Sequence, residues 1–479
     1  MHSQSVHIIG GSMSKDKLTR RKEFEEKQLL RLLKEKGKGR YAWYLAVLIG
    51  LILLVDLLDN FVTGVNANVT SCYITEFFVN GHLFGKTYTY EEGLALNNTF
   101  NLLGYVIGLI VPFYKALGDK IGRKPLFVMS TLGMALGLII IYFSRSYLLF
   151  LIGSFIISFF ISHDIQIIYI LEESPSAKRA TIYSILKGLG CLGTFFIPLL
   201  RSTVMKNDPT LWRNIYLLPG IAGILISILV FFFAKESKVY IENRSTYLKI
   251  PFEERINKEK QEKLEKKAHS NKSGIFNAIK YIFQHKDLRN LIIIKTIFDA
   301  AIVAMTMYES IMATASMTTE EITKALFPFP LIYCASLFIS GFLADKIGRK
   351  RIIAIFGSIC LLSFVGFIIS VLNNQTINPY LIGSFYGLYL GSYWIGRDYM
   401  EIISTEMVPT DIRASIIGAE GLLVYVGMAV GFAFVNVGML FIPIWLACLI
   451  FSAPCILISV ILLIFKVKET KGIDYESIV

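Results

Sequence analysis

Asp119-Lys120-Ile121-Gly122-Arg123-Lys124 returns letter for letter as Asp345-Lys346-Ile347-Gly348-Arg349-Lys350, 226 residues later. A second pair lies beyond each copy. Glu172-x-x-Pro175-x-x-x-Arg179 returns as Glu406-x-x-Pro409-x-x-x-Arg413, 234 residues later. Two spaced motifs kept in register mean that the chain is built from two like halves. Between the motifs lie apolar windows of about 20 residues, the length that crosses hydrocarbon. The first half holds windows at 42–66, 94–116, 125–144, 147–171, 178–201 and 214–234. The second holds 289–313, 321–344, 351–371, 379–403, 412–437 and 440–466. In both halves the first motif follows the second window and the second motif follows the fourth. This predicts an all-α membrane protein of 12 transmembrane helices in two six-helix pseudo-symmetric halves, parallel repeats about an axis along the membrane normal.

Composition agrees. The 479 residues are 54% hydrophobic and only 18% charged, with mean hydropathy +0.57. That excludes disorder, a disulfide scaffold and a nucleic-acid-binding domain. The net charge of +12 is local: residues 15–40 hold 11 Lys/Arg against 5 Asp/Glu, and residues 235–289 hold 14 against 8. A basic excess confined to the loops of an apolar chain follows the positive-inside rule. The expected organisation is a cytoplasmic N-terminal segment 1–41, a first half 42–234, a cytoplasmic linker 235–288, a second half 289–466 and a cytoplasmic tail 467–479. The linker stretch 253–268 reads as a solvated spacer or a surface helix. Residues before Met13 look like an alternative start, and no cleavable signal peptide precedes the first window. High Lys, Ile and Asn usage suggests a bacterial source and hence the plasma membrane. Six cysteines, five inside apolar windows, form neither a disulfide framework nor a metal spacing.

At these residues the chain resembles the major facilitator superfamily over about 41–467. Gly341-Phe-Leu-Ala-Asp345-Lys-Ile-Gly-Arg349-Lys-Arg351 matches that family's Gly-x-Leu-Ala-Asp-[Arg/Lys]-x-Gly-Arg-[Arg/Lys]. The first-half copy departs from it at Lys115 and Gly118. The Glu-x-x-Pro-x-x-x-Arg pair resembles the sugar-porter, aromatic-acid symporter and organic-ion branch. The resemblance implies a secondary transporter working by alternating access. Carboxylates and guanidinium groups at helix ends form charge-assisted bonds. Asp119, Arg123, Glu172, Arg179, Asp345, Arg349, Glu406 and Arg413 are therefore expected to hold the two halves closed at the cytoplasmic gate.

Ionisable residues at membrane depth cost about 2.5–3.5 kcal/mol on insertion scales, so each is a functional candidate. Asp56, Asp59, Asn60 and Thr63 share a face of the first helix, and Asn97, Asn98, Asn101 and Tyr105 line one side of the second. His163 and Asp164 lie in the fourth, and Tyr183 and Lys187 in the fifth. Lys295 and Asp299 stand four apart in the seventh and are expected to pair within that helix. Trp394, Arg397, Asp398 and Glu401 form a polar stripe in the tenth, and Glu420 lies in the eleventh.

Where sugar porters carry neutral ligands, the matching positions here are Lys187, Phe298, Asp299 and Glu401, which argues for a charged solute. The substrate ligands expected are Lys187, Asp299, Arg397, Trp394, Glu401, Tyr308 and Asn101. Asp56-Leu-Leu-Asp59 resembles the Asp-x-x-Asp of aromatic-acid:proton symporters, although the Arg of their fourth helix is absent. Carboxylates outnumber cations, and desolvation favours their protonated form. Asp59, Asp56, His163 and Glu420 are thus the expected proton-coupling residues. The leading reading is a proton-coupled carrier of a small organic acid or zwitterion, with Lys187 and Arg397 as anion ligands. Its alternatives are a proton antiporter for drugs or organic cations, held by Asp59 and Asp299, and a transporter-like solute sensor. Expected partners are the solute, protons or sodium and the lipid bilayer, with no nucleic acid, in a monomer. No P-loop, nucleophile elbow or HExxH occurs, so neither an enzyme nor a metal or cofactor is expected.

Overall fold

The computed structural model describes residues 15–37, 39, 43–108, 118–161, 169, 172–173, 179–258, 261, 275–408 and 413–469. Among them the regular structure is helical. An N-terminal helix α1 (Lys15–Gly37) precedes the first apolar helix α2 (Tyr44–Val65). The first half continues with α3 (Tyr90–Gly108), α4 (Arg123–Tyr142), α5 (Tyr147–Phe160), α6 (Arg179–Gly190), α7 (Phe196–Thr203) and α8 (Asn214–Phe233). A 3-10 stretch, Cys191–Phe195, joins α6 to α7. Two connecting helices follow, α9 (Lys238–Lys249) and α10 (Ile275–Gln284). The second half holds α11 (Lys286–Ala300), α12 (Tyr308–Thr314), α13 (Thr319–Leu326), α14 (Pro328–Ile347), α15 (Arg349–Leu372), α16 (Pro379–Glu406), α17 (Arg413–Gly438) and α18 (Ile444–Lys466).

Seven described helices are long and apolar enough to cross a bilayer, and an eighth crossing is a bent pair. The other four expected positions carry helices too: α3, α5, α6 with α7, and α16. Large apolar side chains cover the outside, among them Phe232, Phe342, Leu362 and Phe465, each more than 70% exposed. In water such a surface would drive association; facing hydrocarbon it needs no partner.

Two features that position the site escape a hydropathy reading. The seventh crossing is broken: α11 continues through Ile302–Thr306 and bends by 46° before α12. Its neighbour α17 approaches α11 through Gly427-x-x-x-Gly431. A Cβ on those glycines would come within 2.4 Å of the Thr296 carbonyl and 2.1 Å of the Ala300 carbonyl. Small residues at this spacing let helix backbones touch, which brings every side chain on the two facing stripes within reach.

Residues 15–37 of the N-terminal segment and residues 238–249 and 252–258 are helical and packed, while of the expected linker stretch 253–268 residues 259–260 and 262–268 lie outside the described residues. Gln28 of α1 donates to the Lys120 carbonyl at 2.6 Å and to the Tyr240 hydroxyl at 3.0 Å. Leu32 packs with Tyr240, Ile241 and Leu248 of α9. Arg255 meets buried Glu25. The basic N-terminus is therefore docked over the first motif.

Candidate functional site

Two charged layers face each other across α11, α16 and α17. The expected intrahelical pair Lys295–Asp299 does not form. Asp299 is fully buried and accepts from the Tyr393 hydroxyl at 2.8 Å and from Arg397 Nε at 3.3 Å, both on α16. Lys295 points one turn toward the charged end. Its Nζ lies 2.7 Å from Glu420 on α17 and 3.2 Å from Glu401 on α16. The Ser404 hydroxyl donates to the second oxygen of Glu420 at 2.7 Å. A pair four apart on one helix is worth only about 0.2–0.5 kcal/mol. Partners on neighbouring helices satisfy a buried charge from several directions at once, which is what desolvation demands.

Arg397 is the substrate candidate best placed to act. Its guanidinium lies 5.0 Å over the Trp394 ring, and Tyr393 meets Trp394 edge-on. With Nε on Asp299 and the side chain 23% exposed, its outer nitrogens are left for a ligand among the described residues. Glu401 is 46% exposed, whereas Lys295 and Glu420 are buried. The structure thus joins Asp299, Arg397 and Trp394 in one layer and Glu401 and Glu420 in the next.

The remaining candidates scatter. Tyr308 is buried, stacked on Tyr386 with ring centroids 4.0 Å apart, inside an aromatic cluster with Phe329. The asparagines of α3 do not share one role. Asn97 accepts from Tyr147 at 3.0 Å, Asn98 donates to Asn436 of α17 at 3.0 Å, and Asn101 is exposed. Asp56 and Asp59 are both buried on α2, Asp59 completely. Asn60 and Thr63 bond back to the carbonyls of Asp56 and Asp59. His163, and the side chains of Lys187, Asp119, Arg179, Asp345 and Arg413, lie outside the described residues.

At the charged end the described gate pairs do not cross between halves. Arg123 donates to Glu172 at 3.2 Å, and Arg349 meets Glu406 at 3.2 Å, each pair closing within its own half. A third element completes each cluster. Glu236 accepts the backbone N–H of Arg123 at 2.8 Å and of Lys124 at 3.2 Å. Glu469 does the same for Arg349 at 3.0 Å and Lys350 at 3.2 Å. Both carboxylates cap a helix start, where the dipole and free N–H groups favour an anion. Burial pushes the Glu236 carboxyl above its usual range, with the backbone donors pulling the other way. Gly122 and Gly348 precede these caps at φ +112° and +96°. A Cβ at either would meet the glutamate oxygens at 2.2 and 2.5 Å, so only glycine fits. The sequence did carry the signal: Lys235-Glu236-Ser237-Lys238 returns as Lys468-Glu469-Thr470-Lys471.

Known proteins place this architecture. The family model of the Major Facilitator Superfamily matches residues 61–432. The cis,cis-muconate transport protein of Acinetobacter baylyi is 26% identical over 393 residues, covering 79% of this chain and 84% of its own. The glucose transporter GlcP of Staphylococcus epidermidis is 22% identical over 448 residues, covering 84% and 95%. Among solved structures, a D-xylose-proton symporter aligns with a TM-score of 0.62 at 14% identity, over 90% of this chain and 99% of that one. An inward-open structure of the E. coli xylose transporter XylE aligns with a TM-score of 0.61 at 15% identity, over 89% and 98%. The family model covers most of the chain, so this chain belongs to the Major Facilitator Superfamily of multi-pass secondary transporters, which are carriers rather than enzymes.

Proposed function

We propose that the chain carries a small carboxylate-bearing solute across the plasma membrane by alternating access, driven by protons, with its charged end in the cytoplasm. One observation carries this reading. Arg397 is fixed by Asp299 and Trp394 through one nitrogen and one face, so its outer edge is presented ready-made. A guanidinium edge binds a carboxylate by two parallel bonds, a geometry that a neutral polyol does not use. The relative named for cis,cis-muconate, itself a carboxylate, supports the same class. Lys187 on α6 is the proposed second anion ligand. The organic-cation reading is weaker because Asp299 already holds Arg397 and Tyr393.

Two carboxylates, Glu401 and Glu420, compete for the single ammonium of Lys295. The surplus negative charge is a place for one proton. Glu401 is half-exposed where Asp59 is sealed, so the coupling proton is assigned to this cluster rather than to Asp59. The test is uptake into proteoliposomes under an imposed pH gradient, with labelled cis,cis-muconate, D-glucose and choline in parallel. Gradient-driven muconate uptake is expected. Uptake of glucose or choline alone would overturn the substrate class, and indifference to the pH gradient would overturn proton coupling.

The repeated motifs are proposed to govern opening at the charged end: Asp119, Arg123, Glu172 and Arg179 in one half, Asp345, Arg349, Glu406 and Arg413 in the other. Asp345→Asn and Arg413→Ala should therefore fold and bind substrate normally but slow exchange between states by about tenfold. Counterflow at wild-type rates in both variants would remove the assignment.

A further inference from the structure

A further buried ion pair lies apart from both layers, at the end opposite the charged termini. Arg201 closes α7 and is fully buried. Its Nη1 donates to the Asn68 carbonyl, its Nε donates to the Thr323 hydroxyl at 3.1 Å, and Nη1 stands 3.8 Å from Glu309. Glu309 on α12 is equally buried. It accepts from the Ser71 backbone N–H at 2.8 Å and from the Ser71 hydroxyl at 2.5 Å. Asn68, Ser71 and Arg201 belong to the first half; Glu309 and Thr323 belong to the second. The bond from Asn98 to Asn436 joins the halves at the same end.

Separating the halves here breaks the contacts of Arg201 with Thr323 and Glu309, of Ser71 with Glu309 and of Asn98 with Asn436 together, while Arg201 keeps only the Asn68 carbonyl of its own half. A buried charge is tolerated only while it is paired and hydrogen-bonded. Parting Arg201 from Glu309 without water entering would leave both uncompensated. Both charges also sit just beyond irregular backbone, Arg201 after the 3-10 stretch Cys191–Phe195 and Glu309 after the 46° bend. A 3-10 stretch inside a run of helix often marks a hinge.

We propose that Arg201, Glu309 and Ser71 form the gate at the far end: positioning residues that seal it in this conformation and part whenever the carrier opens there. The gate uses an ion pair across the halves, unlike the described motif pairs Arg123–Glu172 and Arg349–Glu406 at the charged end, each of which lies within one half.

Cys72 supplies a native reporter. It adjoins Ser71 and is 6% exposed while the gate is shut. A membrane-impermeant maleimide is applied from the far side to vesicles carrying the protein, and Cys72 modification is followed by peptide mass spectrometry. Cys360, fully buried in α15, reports loss of fold. Glu309→Gln keeps the size and one acceptor for Ser71 but removes the charge. It should raise the Cys72 labelling rate at least about tenfold with Cys360 still protected. Labelling within twofold of wild type in the folded variant overturns the proposal. Should Glu309→Gln fail to fold, Thr323→Val removes one Arg201 bond and no charge. It should then accelerate Cys72 labelling at least threefold, and an unchanged rate overturns the gate equally.

Discussion

Arg397→Gln should lower uptake of cis,cis-muconate at subsaturating concentration by at least about a hundredfold, about 2.7 kcal/mol. Arg397→Lys, which keeps the charge but loses the planar fork and the stack on Trp394, should still lose about tenfold. The physical reason is that lysine presents a point charge, whereas the fork defines both the distance and the plane of the carboxylate. A complication follows from Asp299. Removing Arg397 leaves that buried carboxylate with Tyr393 and without its cation, and breaking such a pair costs about 3–5 kcal/mol of stability. The double variant Asp299→Asn/Arg397→Gln separates the two effects. It should recover the thermal midpoint while remaining inactive. Recovery of transport in the double variant would make Arg397 a structural residue, and an unchanged uptake in Arg397→Gln would remove it from the binding site.

The second large effect concerns energy coupling. Glu420→Gln leaves one carboxylate for the one ammonium of Lys295, the charge state that the proposed coupling proton would give the native cluster. The amide keeps an acceptor for Ser404, so the local packing survives. One pH unit stores about 1.4 kcal/mol per proton, a factor of about ten in accumulation. Glu420→Gln should lose that factor, equilibrating muconate without concentrating it, while counterflow at equal pH proceeds at a near-normal rate. Asp59→Asn serves as the contrast and should keep accumulating. If instead Asp59→Asn abolishes accumulation and Glu420→Gln does not, the proton rides on α2 and the Lys295 cluster is only structural.

Much of this fold is legible in the sequence because lipid leaves few choices. An apolar window of fixed length becomes a crossing, and identical motifs two hundred residues apart mark equivalent ends of two halves. Partner choice is less legible. Lys295 and Asp299 look like a pair because helix spacing places them on one face. The close contact allowed by Gly427 and Gly431 brings Glu420 of α17 to Lys295, while Asp299 takes its partners from α16. The bend before α12 has no sequence signal of the usual kind, since residues 286–314 contain neither proline nor glycine. That bend places Glu309 against Ser71, so the far-end pair escaped a reading built on straight helices. Glu236 and Glu469 escaped for a different reason: their repeat was present but short, and the donors they satisfy are backbone groups that no side-chain motif displays.

The docked N-terminal helix also offers a lever for observation. Through Gln28, Leu32 and Glu25, α1 is fastened to Lys120, α9 and Arg255, all on the first-half side of the molecule. The chain around Glu469 is fastened instead to Arg349 and Lys350, on the second-half side. A donor dye on the exposed face of α1 and an acceptor beside Lys468 would thus each ride on a different half. The distance between them would track rocking of one half against the other, turnover by turnover, with both labels outside the solute path.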